Sequence, residues 1–170
     1  NVIGILIISA IGLFLGYFYT APPLRLVSRK GLGELSIFLA FGPLLTLGTG
    51  FAILNGDMTS EYITNCILLG LPIGLLTTNI LLINQFPDMI SDAKTNKNHL
   101  VVIFGKKKSR SIYATILLVT FLSSLVISIK LKLLVLIPTF LVLIFGGFIT
   151  NFIYKNYKNK KLIKANWNTI

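Results

Sequence analysis

The sequence predicts an all-α protein, a polytopic bundle of transmembrane helices, on three observations. The 170 residues are 54% hydrophobic and only 12% charged, with a mean hydropathy of +0.83. Long runs almost free of charge alternate with short basic clusters, the profile of a membrane chain rather than a soluble core. Those clusters fall on one side of the alternation. Helices are the only element that fits, because an open sheet in lipid would leave backbone groups unpaired.

Five runs reach the roughly 20 apolar residues that a bilayer crossing needs, near 2–19, 33–54, 62–83, 111–129 and 133–154. The first carries Gly12 and Gly16, the third Gly70 and Gly74; small residues four apart let neighbouring helices approach closely. Pro43, Pro72 and Pro138 fall inside spans, where a missing N–H is expected to kink them. The third span should break or kink at Pro87, which cannot donate to the Ile83 carbonyl.

The loops carry the charge. Arg25, Arg29 and Lys30 lie in the first loop. Lys94, Lys97, Lys106, Lys107, Lys108 and Arg110 lie between the third and fourth spans, and Lys155, Lys158, Lys160, Lys161 and Lys164 in the tail. These three, six and five residues make 14 of the 16 Lys and Arg. The opposite side has the NGDMTSE turn, with Asp57 and Glu61, and the short Lys130/Lys132 connection. The positive-inside rule places the basic loops and tail in the cytoplasm and Asn1 outside, in a cell or organelle membrane. The same placement accounts for the net charge of +11 without nucleic acid. Beyond Tyr154 the tail reads as a solvated cluster on anionic headgroups with Trp167 at the interface. A single cysteine, Cys66, can form neither an internal disulfide nor a thiolate metal cluster. The chain opens on NVIGILIISA, with neither a starting Met nor a basic leader, and reads as an internal fragment of something longer.

The chemistry concentrates in NQFPDMISDAKTNKNHLVVIFG, residues 84–105, which holds Asp88 and Asp92, two of five acidic residues. Asn84, Asp88 and Asp92 are four apart, so on a helix each lies about 40° round from the last and the three share a face. Two carboxylates at the mouth of an apolar span suit a hard divalent cation, and Mg²⁺ is usually held by one or two carboxylates plus substrate phosphates. Asn84 is a third oxygen ligand or simply a helix-end residue. Lys94 and Lys97 are within reach of an anion carried by the metal. Arg25 suits bidentate phosphate contact, although topology alone also places cations there. Tyr17 and Tyr19 can line an apolar cavity and stabilise a cation by their ring faces, or anchor the helix at the interface. Gln85 reads as a neutral neighbour, and Glu34 as a residue favouring a helix N-terminus. His99, without partner spacing, receives no role.

The run INQFPDMISDAKTNKNHLVVIFGK resembles the second aspartate motif of the UbiA-type membrane prenyltransferases, roughly N-x-x-x-D-x-x-x-D followed by Gly-Lys and Leu-x-Val-x-x-Gly. YTAPPLRL and GLGELSIFLAFGPLLTLGTG look like the family's loop and next helix, and the Asn-x-Phe-Pro-Asp form is most similar to the 1,4-dihydroxy-2-naphthoate polyprenyltransferases. The resemblance implies nine helices around a cavity, of which the five spans here would be helices 4 to 8. It implies Mg²⁺ held by two aspartate motifs, with Asp88, Asp92 and Asn84 supplying one half, and a polyprenyl diphosphate contacted by Arg25, Lys94 and Lys97. An aromatic acceptor would capture the allylic cation. Sister subfamilies use 4-hydroxybenzoate, homogentisate, haem, chlorophyllide or glycerol phosphate instead. The chain departs from the pattern in lacking the first motif and a ninth helix, in Asn96-Lys97 for Gly-Lys, and in Gln85 where an acid is common. Without the first motif the chain alone is expected to be inactive. A secondary transporter segment is the reading from another class, and a non-catalytic scaffold a third. Transporter sites lie near the bilayer midplane, whereas these carboxylates fall at a helix end.

Overall fold

The computed structural model describes residues 2–54, 59–131 and 136–157. Six α-helices follow one another: α1 (Val2–Thr20), α2 (Leu32–Leu39), α3 (Leu45–Ile53), α4 (Ser60–Lys94), α5 (Leu100–Leu131) and α6 (Leu136–Asn156). The described residues form no strand. Four segments are long and apolar enough to cross a bilayer: α1, α2 with α3 as one unit, α4 and α5. At 21 residues, α6 has the length of a fifth. The all-α transmembrane bundle read from composition is the architecture observed. Lys155 forms part of the last turn of α6; the tail from residue 158 on, with Trp167, together with Asp57 and Lys132, lies outside the described residues.

One expected kink forms. At Gly42–Pro43 the second span passes through a π-helical turn, Ala40–Leu44, with Gly42 at φ −105°, ψ −105°. Pro43 has no N–H to continue the ladder, and the extra residue in the turn absorbs the mismatch. The bend brings the backbone at Gly42 against α4, where Gly70 and Gly74 face it. A Cβ at Gly70 would stand 2.7 Å from the Gly42 carbonyl carbon, and one at Gly74 3.1 Å from the Gly42 Cα. The close approach expected of this glycine pair is therefore real. Around Gly12 and Gly16, by contrast, a Cβ would meet nothing within 4 Å among the described residues.

The break expected at Pro87 does not occur. Helix α4 runs 35 residues to Lys94 through both Pro72 and Pro87, not to residue 83. Pro87 still removes one hydrogen bond, but Leu82, Ile83 and Phe86 just before it are fully buried. Packing of those side chains outweighs one missing bond. The fourth span also starts earlier than residue 111: α5 begins at Leu100, with a break at Gly105 (φ 72°, ψ 160°) that only glycine adopts readily. Pro138 sits in the first turn of α6, where a missing N–H has no intrahelical partner to lose.

The core lies at the end of the bundle that carries the aspartates. Leu82, Ile83 and Phe86 of α4 pack with Val101 and Tyr113 of α5 and Ile153 of α6. A buried Asn79 Nδ2 donates to the Tyr113 carbonyl at 3.2 Å, tying α4 to α5 part-way along. The helix ends that hold the polar residues thus carry a buried core among the described residues.

Candidate functional site

Because α4 continues unbroken, Asn84, Asp88 and Asp92 do occupy one helical face, on its last three turns. Asp88 is exposed and its carboxylate makes no ion pair among the described residues. Asp92 is different. Its Oδ1 accepts from Lys97 Nζ at 2.9 Å and its Oδ2 lies 3.2 Å from His99 Nε2, with 16% of the side chain exposed.

The chain returns to Asp92 through the way α4 ends. Asn96 adopts a left-handed conformation (φ 55°). Lys97 N–H donates to the Asp92 carbonyl and Asn96 N–H to that of Ala93. This is the pairing of a Schellman motif, whose left-handed position is normally glycine and sometimes asparagine. Asn96 standing where the family has glycine is therefore a conservative departure. The turn folds Lys97 and His99 back over the last turn of α4, where Lys97 also offsets the negative end of the helix.

Three residues given a minor role or none from sequence make buried contacts here: Glu34, Gln85 and His99. Glu34, in the first turn of α2, is 3% exposed. Its Oε1 accepts from Gln85 Nε2 at 2.9 Å and from the Leu100 N–H at 3.0 Å. It does favour a helix N-terminus, but that of α5, 66 residues away. Gln85 is the third member of this buried cluster rather than a bystander. His99 is 2% exposed, and its Nδ1 accepts from the Val102 N–H at 3.3 Å, so it caps α5 from within the chain. The faint signal for Glu34 and His99 was a lone polar residue at the edge of an apolar run.

The remaining predicted residues are not gathered onto the aspartates. Arg25 is exposed in a left-handed turn (φ 44°), Lys94 is exposed on the last turn of α4, and neither forms an ion pair among the described residues. Arg29 instead clasps its own loop, donating to the carbonyls of Leu24 at 2.8 Å and Pro23 at 3.1 Å. Tyr17 is 67% exposed and lies edge-on to Phe18; Tyr19 is half-buried.

The donor set suits a hard cation. Asn84 Oδ1 is buried without a hydrogen-bond partner among the described residues, the Asp88 carboxylate makes no ion pair among them, and Asp92 keeps one lone pair on each oxygen. Among the described residues no three His, Cys, Asp or Glu side chains stand together. That is compatible with Mg²⁺, which keeps waters and substrate phosphates in its shell rather than a complete protein cage.

Comparisons with known proteins agree on one family. The chain is 28% identical, over 98% of its length, to the chloroplastic 2-carboxy-1,4-naphthoquinone phytyltransferase of Arabidopsis thaliana, covering 44% of that protein. It is 31% identical over 68% of its length to the 1,4-dihydroxy-2-naphthoate octaprenyltransferase of Escherichia coli K12, covering 36% of it. The UbiA prenyltransferase domain-containing protein 1 of Dictyostelium discoideum is 29% identical over 93% of the chain and 45% covered. The chain thus spans less than half the length of these relatives. No solved structure matches it. The model of the UbiA prenyltransferase family matches residues 3–170, and the chain belongs to that family.

Proposed function

We propose that the protein carrying this chain transfers a polyprenyl group from an allylic diphosphate to 1,4-dihydroxy-2-naphthoate or a close aromatic relative, in menaquinone or phylloquinone synthesis. The observation that carries the reading is the Asn84–Asp88–Asp92 face of α4 with Lys97 folded back upon it. Two matched relatives are named as naphthoate or naphthoquinone prenyl- and phytyltransferases, which supports the acceptor class. The density of basic residues beside the aspartates supports a site at the cytoplasmic face.

Asp88 and Asp92, with the Asn84 amide oxygen, would hold Mg²⁺. Magnesium there would supply positive charge against the diphosphate as its bond to the prenyl carbon breaks. Lys97 would share that anion, with Lys94 and Arg25 as further, exposed cations for it. Apolar helix faces would keep water from the allylic cation, and of the two tyrosines, which lie on different faces of α1, the half-buried Tyr19 would be the one to offer it electron density. The acceptor carbon forms the new bond and then loses its proton.

The test is prenyl transfer by the full-length protein in lipid vesicles, with radiolabelled farnesyl diphosphate and 1,4-dihydroxy-2-naphthoate. Asp88→Ala and Asp92→Ala are each expected to lower turnover by about a hundredfold or more, as for loss of a charge-stabilising group. EDTA should abolish it, and added Mg²⁺ should restore it. Turnover unchanged in both variants would refute the reading. Faster transfer to 4-hydroxybenzoate or homogentisate would move the acceptor to a sister class.

A further inference from the structure

The two aspartates of α4 are not equivalent, and the difference lies in His99. A helix cap needs only a short acceptor, which Ser, Thr, Asn or Asp supplies. His99 gives α5 that acceptor with Nδ1, 3.3 Å from the Val102 N–H. An imidazole whose Nδ1 accepts is protonated at Nε2. Nε2 is the atom 3.2 Å from Asp92 Oδ2, so it donates to that oxygen. The ring is 2% exposed, so it cannot turn away into water. Lys97 occupies the other oxygen at 2.9 Å. Both Asp92 oxygens are therefore held in place, while Asp88 has no ion-pair partner among the described residues.

We propose that His99 is a positioning residue for Asp92: its capping nitrogen anchors the ring to α5, and its opposite nitrogen fixes the carboxylate plane for metal binding. This rests on the reading of Asp92 as a metal ligand. On that reading Asp92 is the rigid ligand and Asp88 the adaptable one. Groups that orient a metal ligand commonly contribute about ten- to a hundredfold in affinity. The site would take a divalent cation together with the diphosphate of an allylic donor.

Two substitutions separate the two nitrogens. His99→Asn places an amide oxygen near the Nδ1 position and keeps the cap, but loses the reach to Asp92. His99→Gln places an amide N–H near the Nε2 position and keeps the donor, but loses the cap. The readouts on the full-length protein in detergent are Mn²⁺ binding with farnesyl thiolodiphosphate, by the electron paramagnetic resonance signal of free Mn²⁺, and the melting temperature. His99→Asn is expected to melt close to wild type yet bind Mn²⁺ about tenfold more weakly. His99→Gln is expected to melt lower yet bind Mn²⁺ within roughly threefold of wild type, since the donor is restored.

Wild-type Mn²⁺ affinity in His99→Asn, with affinity lost in Asp92→Asn, would overturn the proposal and leave His99 a cap alone; the proposed function would stand. Wild-type affinity in both Asp88→Asn and Asp92→Asn would remove the metal reading itself, and this proposal with it. Should His99→Asn fail to fold, His99→Gln decides: retained Mn²⁺ binding supports the positioning role, and a loss of about tenfold or more in folded protein overturns it.

Discussion

Gly70→Ala tests the packing argument at the crossing of α4 with the π-helical turn. The added methyl would stand 2.7 Å from both the Gly42 carbonyl carbon and the Pro43 nitrogen, and 2.6 Å from Thr46 Oγ1. Thr46 could rotate, at the loss of its bond to the Gly42 carbonyl, but the other two atoms are backbone. Ordinary contact begins near 3.4 Å, so α4 and the π-helical turn must separate by the difference of 0.7 Å. A gap of that size forfeits a quarter to a half of each dispersion contact along the crossing. Overpacking of this kind costs about 1–3 kcal/mol, and replacing a helical glycine by alanine returns up to ~1 kcal/mol. With backbone at two of the three contacts the cost falls at about 2–3 kcal/mol, so the net is about 1–2 kcal/mol, or a melting temperature lower by roughly 2–8 °C for a chain of this size. Cys66, the single cysteine of this chain and buried, allows unfolding in detergent to be followed with a thiol-reactive fluorophore. Gly12→Ala, whose methyl meets no described atom within 4 Å, should melt at or above the wild-type temperature. Equal melting temperatures for Gly70→Ala and wild type would refute the reasoning.

Glu34→Ala should orphan the Leu100 N–H and Gln85 Nε2 at about 1–3 kcal/mol each, whereas Glu34→Gln keeps an acceptor and loses less. Hydrogen exchange at the Leu100 amide measures this, and unchanged protection in Glu34→Ala would sink the idea that Glu34 caps α5. Asn96→Gly should match or slightly exceed wild-type stability, while Asn96→Val should cost about 1–2 kcal/mol for the left-handed conformation. Thermal melting that ranks Asn96→Val level with wild type would contradict the left-handed turn.

Much of the fold was legible because a bilayer makes hydrophobic run length nearly sufficient to place helices. The first two spans fall within a residue of those read from hydropathy. The errors came where tertiary contact overruled a local rule. Pro87 reads as a helix end only when one ignores that Leu82, Ile83 and Phe86 beside it are wholly buried. The shared face of Asn84, Asp88 and Asp92 was visible because helical spacing is periodic in sequence. The roles of Glu34, Gln85 and His99 were not. Each depends on a partner brought close by helix packing or by the left-handed turn at Asn96, and Glu34 meets Leu100 across 66 positions. Periodicity within a segment carries no signal for contacts of that kind.

The length of α4 has a mechanical consequence. Thirty-five residues at 1.5 Å each make a rod of about 52 Å, while the hydrocarbon slab is about 30 Å thick. Standing upright, the rod overshoots the slab by some four turns, and Asn84 through Lys94 occupy its last three. With that overshoot at the Lys94 end, the carboxylates would ride on helix rather than loop, at a set height above the acyl chains. An amphiphile whose tail partitions below that height and whose charged head sits at it would meet them without leaving the lipid.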